Sequence, residues 1–240
     1  LPLRQVAAIP GVLWSDEFAQ AAGTKPDATK WTYDLGGNGW GNAELETYTS
    51  DAANASVVED SAATDGKALA ITALRSGSSY TSARIKTQGL FSAKYGRVEA
   101  RIRVPAGKGI WPAFWMLGTN IGSVGWPACG EIDVMEILGH EPSRLYGTAH
   151  GPGYSGGNGI GNNTLLASGG RADDGYHLYS VVWQPDKIQW LLDGRLYHSV
   201  TTASLPGGTN WVFNSDFFLI LNLAVGGNWP GSPDANTSFP

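Results

Sequence analysis

Residues 97–104 set the period on which this chain must fold. Arg97, Glu99, Arg101 and Arg103 occupy every odd position, and Val98, Ala100, Ile102 and Val104 every even one. Successive side chains of an extended backbone face opposite ways, so this alternation buries one face of a strand and wets the other, as in an antiparallel sheet. Its charges read as that solvated face. Other short runs of strand character fall at residues 12–18 and 67–75, with 82–88 as the hairpin partner of the latter, and at 146–151. Three more, 176–184, 187–192 and 195–200, are joined by Pro185-Asp186 and Asp193-Gly194, which are strong turn signals and predict a meander. Residues 217–225 are apolar at almost every position and predict a central strand, with Asn222 the exception. The 33 Gly and 13 Pro are dispersed between such runs, and no helical period is sustained. The chain therefore reads as all-β. At 240 residues it is expected to form a single domain, 1–240, with residues 1–10 as a surface arm.

Charge and hydropathy exclude some functions. The net charge is −5 with no Lys/Arg cluster, so nothing supplies the phosphate-neutralising stripe that nucleic acid requires. No run of 18 apolar residues is present, and no membrane association is expected. The single Cys129 rules out an internal disulfide and lacks the context of a nucleophile, so it reads as a small buried thiol.

One stretch contradicts its own hydrophobicity. Residues 130–136, Gly-Glu-Ile-Asp-Val-Met-Glu, place three acids inside a run apolar enough to be a buried strand. Burying carboxylates is costly. In a regular strand Glu131 and Asp133 share a face and Glu136 points the other way; one extra residue in a β-bulge, with Met135 the natural one to absorb it, turns all three to one surface. On spacing alone such a row is a solvated strand face, a cation site or a paired-carboxylate centre. The last suits glycoside cleavage, in which one carboxylate attacks the anomeric carbon and another protonates the departing oxygen.

The segment Glu131-Ile132-Asp133-Val134-Met135-Glu136 resembles the catalytic signature of glycoside hydrolase family 16, in the bulged form of bacterial endo-β-1,3-glucanases. Matching blocks run from Trp14-Ser15-Asp16-Glu17-Phe18 to Phe239-Pro240, so the resemblance covers nearly the whole chain. It implies a jelly-roll β-sandwich of two curved antiparallel sheets with an open concave cleft, and retaining endo-hydrolysis of β-1,3-glucan such as laminarin. Glu131 would be the nucleophile, Glu136 the general acid and then base, and Asp133 the group that tunes them. Mixed β-1,3/1,4-glucan hydrolysis, transglycosylation and non-catalytic glucan binding are the alternatives.

The resemblance also implies subsite residues. Trp40, Asn42, Glu44 and Tyr48 match a block bordering the glycone side of the cleft; Asn42 is the sugar-binding candidate among them, and Glu44 serves equally as a structural hydrogen-bond partner. Trp111 and Trp115 lie at an even separation and would form an aromatic platform, joined by Trp126, while Trp183, Trp190 and Trp211 are left to the core. Arg84, His150, Asn222 and Trp229 complete the set, Arg84 reading equally as an exposed strand arginine and His150 as a structural histidine. Residues 151–170, rich in Gly, Asn and Ser, read as a mobile loop over one end of the groove. No cofactor is expected for the chemistry and no catalytic metal. The strand that usually ends the family domain is missing from the sequence, which weakens the expectation of a structural calcium, for which Glu17 and Gly66 would offer backbone oxygens. The expected partner is β-glucan polysaccharide, acted on by a secreted, extracellular monomer.

Overall fold

The computed structural model describes residues 11–240; the expected surface arm, 1–10, lies outside them. In chain order the strands are β1 (Thr32–Asp34), β2 (Glu46–Tyr48), β3 (Ala55–Glu59), β4 (Lys67–Ile71), β5 (Leu74–Ser76), β6 (Ser79–Ser82), β7 (Arg84–Lys86) and β8 (Gly96–Ile102). They continue with β9 (Ile110–Gly118), β10 (Glu131–Glu136), β11 (Arg144–His150), β12 (Ile160–Leu165), β13 (His177–Gln184), β14 (Lys187–Leu192), β15 (Arg195–Thr201) and β16 (Phe217–Val225). A four-residue helix, Ile121–Val124, lies between β9 and β10.

Two antiparallel sheets form the jelly-roll sandwich. The larger has the order β1-β7-β16-β9-β10-β11-β12, and the smaller β15-β14-β13-β8. Between them lies one continuous core. Phe114, Met116, Ile132, Val134, Met135, Leu145 and Ala149 of the large sheet meet Tyr179, Val181, Trp183, Ile188, Trp190 and Leu192 of the small one. Burial of this apolar face is the main force holding the layers together, at roughly 25 cal/mol per Å² removed from water. Trp183 and Trp190 are among the largest fully buried side chains, and Trp211 packs against the same cluster, as expected.

The predicted meander is present as β13-β14-β15, and Asp193 and Gly194 both take positive φ, 49° and 77°, as a type I′ turn demands. The alternating segment becomes β8, an edge strand paired only to β13. The apolar run becomes β16, paired on both sides to β7 and β9.

Three expectations fail for identifiable reasons. Residues 12–18 form no strand: Asp16 accepts the Phe18 N–H and the Trp31 indole N–H, Phe18 takes φ 51°, and Trp14 stacks on Phe91 at 5.0 Å. Residues 67–75 split into β4 and β5, because the Asn54 carbonyl and side chain bond Thr72 and divide the run; β4 pairs with β3 and β5 with β6. Residues 84–86 instead form β7, between β1 and β16. Finally, the Gly-rich region 151–170 is not only loop: it supplies β12, the outer strand of the large sheet, whose Ile160 packs on the core.

Candidate active site

Strand register assembles the site. Directly paired residues in an antiparallel sheet share a face, so pairing can be followed across all seven strands. One row runs Asn163, Tyr146, Glu136, Ala113, Asn222, Arg84, Asp34. The next runs Gly161, Thr148, Asp133, Trp115, Ile220, Lys86, Thr32. Glu131 follows, flanked by His150 and Leu117. The three acids therefore lie on the face turned away from the second sheet.

The bulge is where the sequence required it. Against β9, Asp133 pairs Trp115 and Met135 pairs Phe114, so Val134 is the residue left over, not Met135. Against β11 the ladder jumps from Asp133 to Glu136. Val134 and Met135 both enter the core, each about 1% exposed, and the parity of the strand is reset before Glu136. Gly130 starts the strand at φ 80°, where a Cβ would lie 2.8 Å from the Phe217 ring, so only glycine fits.

Each glutamate is held by an indole N–H. Trp126 donates to Glu131 Oε2 at 2.9 Å, and Trp111 donates to Glu136 Oε1 at 3.1 Å. His150 Nε2 lies 3.0 Å from Asp133 Oδ2 and 3.6 Å from Glu131 Oε1. Burial pushes all three carboxyls up. Glu131 rises to about 8, first from burial and then from the Asp133 charge, against the pull of His150, Trp126 and Arg84. Asp133 also rises to about 8 through burial. Glu136 is pushed well above the carboxylate range by burial, then by Asp133. Asp133 thus raises both glutamates; His150 and one indole N–H favour the ion on each, and Arg84 does so on Glu131 as well.

Around the acids the remaining predicted residues fall into two groups. Trp111 meets Trp229 edge-on at 5.6 Å, and Trp229 meets Tyr146 at 4.9 Å, an aromatic cluster on the Glu136 side. On the other side Arg84 is stacked between Trp40 and Trp115, 4.8 and 4.6 Å from the ring centres, and ion-paired to Asp34 together with Lys86. A hollow of about 180 Å³ opens there, lined by Trp40, Arg84, Lys86, Leu117 and Phe218. Trp115 donates to Asn222 Oδ1 at 2.7 Å, Asn222 to the Tyr48 hydroxyl, Tyr48 to Glu44, and Asn42 to Glu44. Asn42 thus stands at the far end of a chain of bonds that stops at Trp115, the strand neighbour of Asp133. Behind it Glu46, 1% exposed, has its carboxyl raised to about 8 by burial and by Glu44.

Sequence reasoning missed Tyr146, Asp34 and Lys86. Tyr146 was available from parity, four residues before His150 on one strand; Asp34 lies on a strand of only three residues with no pattern to find it by. Among the described residues the one cluster of three or more His, Cys, Asp or Glu donors able to hold a metal is Glu131, Asp133 and His150, within the site itself. Of the two residues considered for a weakly supported calcium, the Gly66 carbonyl accepts the Asp60 N–H, and beside it in sequence the Lys67 ammonium bonds the Ala19 and Gln20 carbonyls.

Known proteins resemble this chain in sequence and in fold. The profile of the glycosyl hydrolases family 16 matches residues 46–239. The chain is 40% identical over 246 residues to a beta-glucanase of Rhodothermus marinus, covering 95% of this chain and 80% of that protein. It is 39% identical to glucan endo-1,3-beta-glucosidase A1 of Niallia circulans, covering 95% of this chain and 35% of that longer protein. Among solved structures, the laminarinase catalytic domain of Thermotoga maritima MSB8 superposes with a TM-score of 0.81 at 46% identity, covering 95% of this chain and 92% of that one. With a matched profile over most of its length and relatives of this identity, the chain belongs to the glycosyl hydrolases of family 16.

Proposed function

We propose that this protein is an endo-β-1,3-glucanase acting with retention, with Glu131 as nucleophile and Glu136 as acid and base. The observation that carries the reading is the slip at Val134, which brings Glu136 onto the face that holds Glu131 and Asp133. Glu131, the acid with the most ion-stabilising partners, attacks the anomeric carbon. Glu136, whose carboxyl is pushed up by burial and then by the Asp133 charge, delivers its proton to the glycosidic oxygen; the bond between that oxygen and the anomeric carbon breaks as the glycosyl–Glu131 ester forms. Water then enters and gives a proton to the Glu136 carboxylate as its oxygen attacks the anomeric carbon and displaces Glu131 with a second inversion, so the product keeps the β configuration. Carboxylates supply all of this chemistry, and no cofactor takes part.

Endo action has a topological basis. Four strands flank β10 on one side and two on the other, so residues facing the substrate continue past the cleaved bond in both directions. A non-catalytic glucan-binding module would have no use for both glutamates. The cleft is built within one chain, which supports action as a monomer, and a polymeric substrate found outside cells supports a secreted location. The test is digestion of laminarin followed by proton NMR of the first products. New reducing ends in the β-anomer, released from chain interiors, are expected; initial α-anomer would refute the mechanism. Parallel digestion of lichenan measures how far mixed linkages are accepted.

A further inference from the structure

Two bulges face each other across the core. In the large sheet the ladder slips at Val134; in the small sheet it slips between Trp190 and Leu191, where Trp190 pairs His198 and Leu191 pairs Leu196, leaving Tyr197 as the extra residue. The second slip aims two side chains at the first. Trp190, fully buried, donates its indole N–H to the Asp133 carbonyl at 2.7 Å. A strand carbonyl ordinarily lies in the plane of its sheet and bonds a neighbouring strand; this one accepts a donor from the facing sheet, at the residue where pairing breaks. Gly147 of β11, level with the skipped residues, makes room: a Cβ there would lie 2.5 Å from Trp190 Cδ1 and overlap the Tyr197 hydroxyl. Among the described residues that hydroxyl is buried with no hydrogen-bond partner, and its pKa is raised by burial and then by the Glu136 charge. His198 backs the Trp190 ring at 4.7 Å.

We infer that Trp190 is a positioning residue for the acid/base, its indole N–H holding the Asp133 carbonyl and thereby the bulge that turns Glu136 into the cleft. This rests on Glu136 being the acid/base. Removing the N–H frees the slip to shift along β10, and Glu136 moves relative to the leaving oxygen while Glu131, before the bulge, stays in register with His150 and Leu117. Such a defect affects proton delivery in particular, which separates it from general loosening of the core.

The test compares two substrates. Laminarin has a leaving group that needs protonation, whereas a 2,4-dinitrophenyl β-laminarioligosaccharide does not. In Trp190→Phe, and in a variant carrying benzothienylalanine at 190, which keeps the ring's size but lacks the N–H, kcat/KM on laminarin should fall about 10–100-fold. On the dinitrophenyl glycoside it should change less than about 3-fold. An equal fall on both substrates, or no fall in the benzothienylalanine protein, overturns the inference. Glu136→Ala is the control: it should show the same selective loss in larger measure. If it loses activity equally on both substrates, the acid/base assignment fails; if it shows the split and the position-190 variants do not, only the role of Trp190 fails.

Discussion

Strands β8 and β10 each carry several charges, and their fates are opposite. On β8 the charges stand in water: Arg97 and Glu99 pair at 2.7 Å with side chains 46% and 40% exposed, and just past its end Arg103 reaches Asp60. On β10 Asp133 is 4% exposed and the two glutamates are half-buried beneath indoles. In water a pair of opposite charges contributes little to stability, because solvent screens it and side-chain entropy opposes it. Under desolvation, like charges on one face raise one another's pKa values into the range where a carboxyl can hold a proton at neutral pH. Sheet position decides which happens. β8 is an edge, β10 an interior strand with neighbours on both sides.

Neutralising one acid on each strand is the strongest way to break the comparison. Glu131→Gln should lower kcat on laminarin by about 10⁴-fold or more. It should also stabilise the fold at alkaline pH. Because the folded pKa of Glu131 is raised to about 8, the folded protein binds more protons than the unfolded chain between the ordinary carboxylate range and that value, so stability falls as pH rises through this window. Differential scanning calorimetry at pH 5 and pH 9 should show the variant gaining about 2 °C or more over the parent at pH 9 and little at pH 5. A Tm gain without loss of turnover would contradict the assignment.

A subtler change sharpens the contrast within β10. Asp133→Asn removes a charge that raises both glutamates, so both limbs of the pH–rate profile should move to lower pH. The acid limb is set by ionisation of Glu131 and the alkaline limb by loss of the Glu136 proton, and kcat at the new optimum should fall about 10-fold or more. A profile unmoved on the pH axis would show that Asp133 acts through shape alone. The smallest effect belongs to the wet strand: Glu99→Gln should change stability by less than about 0.5 kcal/mol, with that difference shrinking in 1 M salt, and leave kcat unchanged. Urea denaturation at two salt concentrations reads it.

Much of this architecture was legible because it is written in period-2 patterns and turn dipeptides. The meander of β13 to β15, the central β16, the shared face of Trp111 and Trp115 and the bulge before Glu136 all follow from local rules. What escaped was long-range. Nothing local distinguishes residues 84–86 as the partner of β16 instead of β4, and β12 is hidden in Gly and Asn that serve to clear space for neighbours. A Cβ on Gly159 would lie 2.6 Å from His150 Nδ1, and one on Gly161 2.9 Å from Thr148 Oγ1. The site residues found by resemblance are mostly those projecting from strands. Asp34 and Lys86 depended on knowing which strands lie side by side.

The stack of Arg84 between Trp40 and Trp115 bears on how a polymer could be gripped. A guanidinium already covers one side of each of those indoles, and the Trp115 N–H is committed to Asn222, so this corner is braced before any sugar arrives. Trp126 and Trp229 are the most exposed aromatic rings near the acids, at 48% and 42%, one on each glutamate's flank. A glucan threading this surface would meet adaptable contact at its two shoulders and an unyielding floor between them, so tolerance for side branches should be set at the shoulders and the point of scission at the floor.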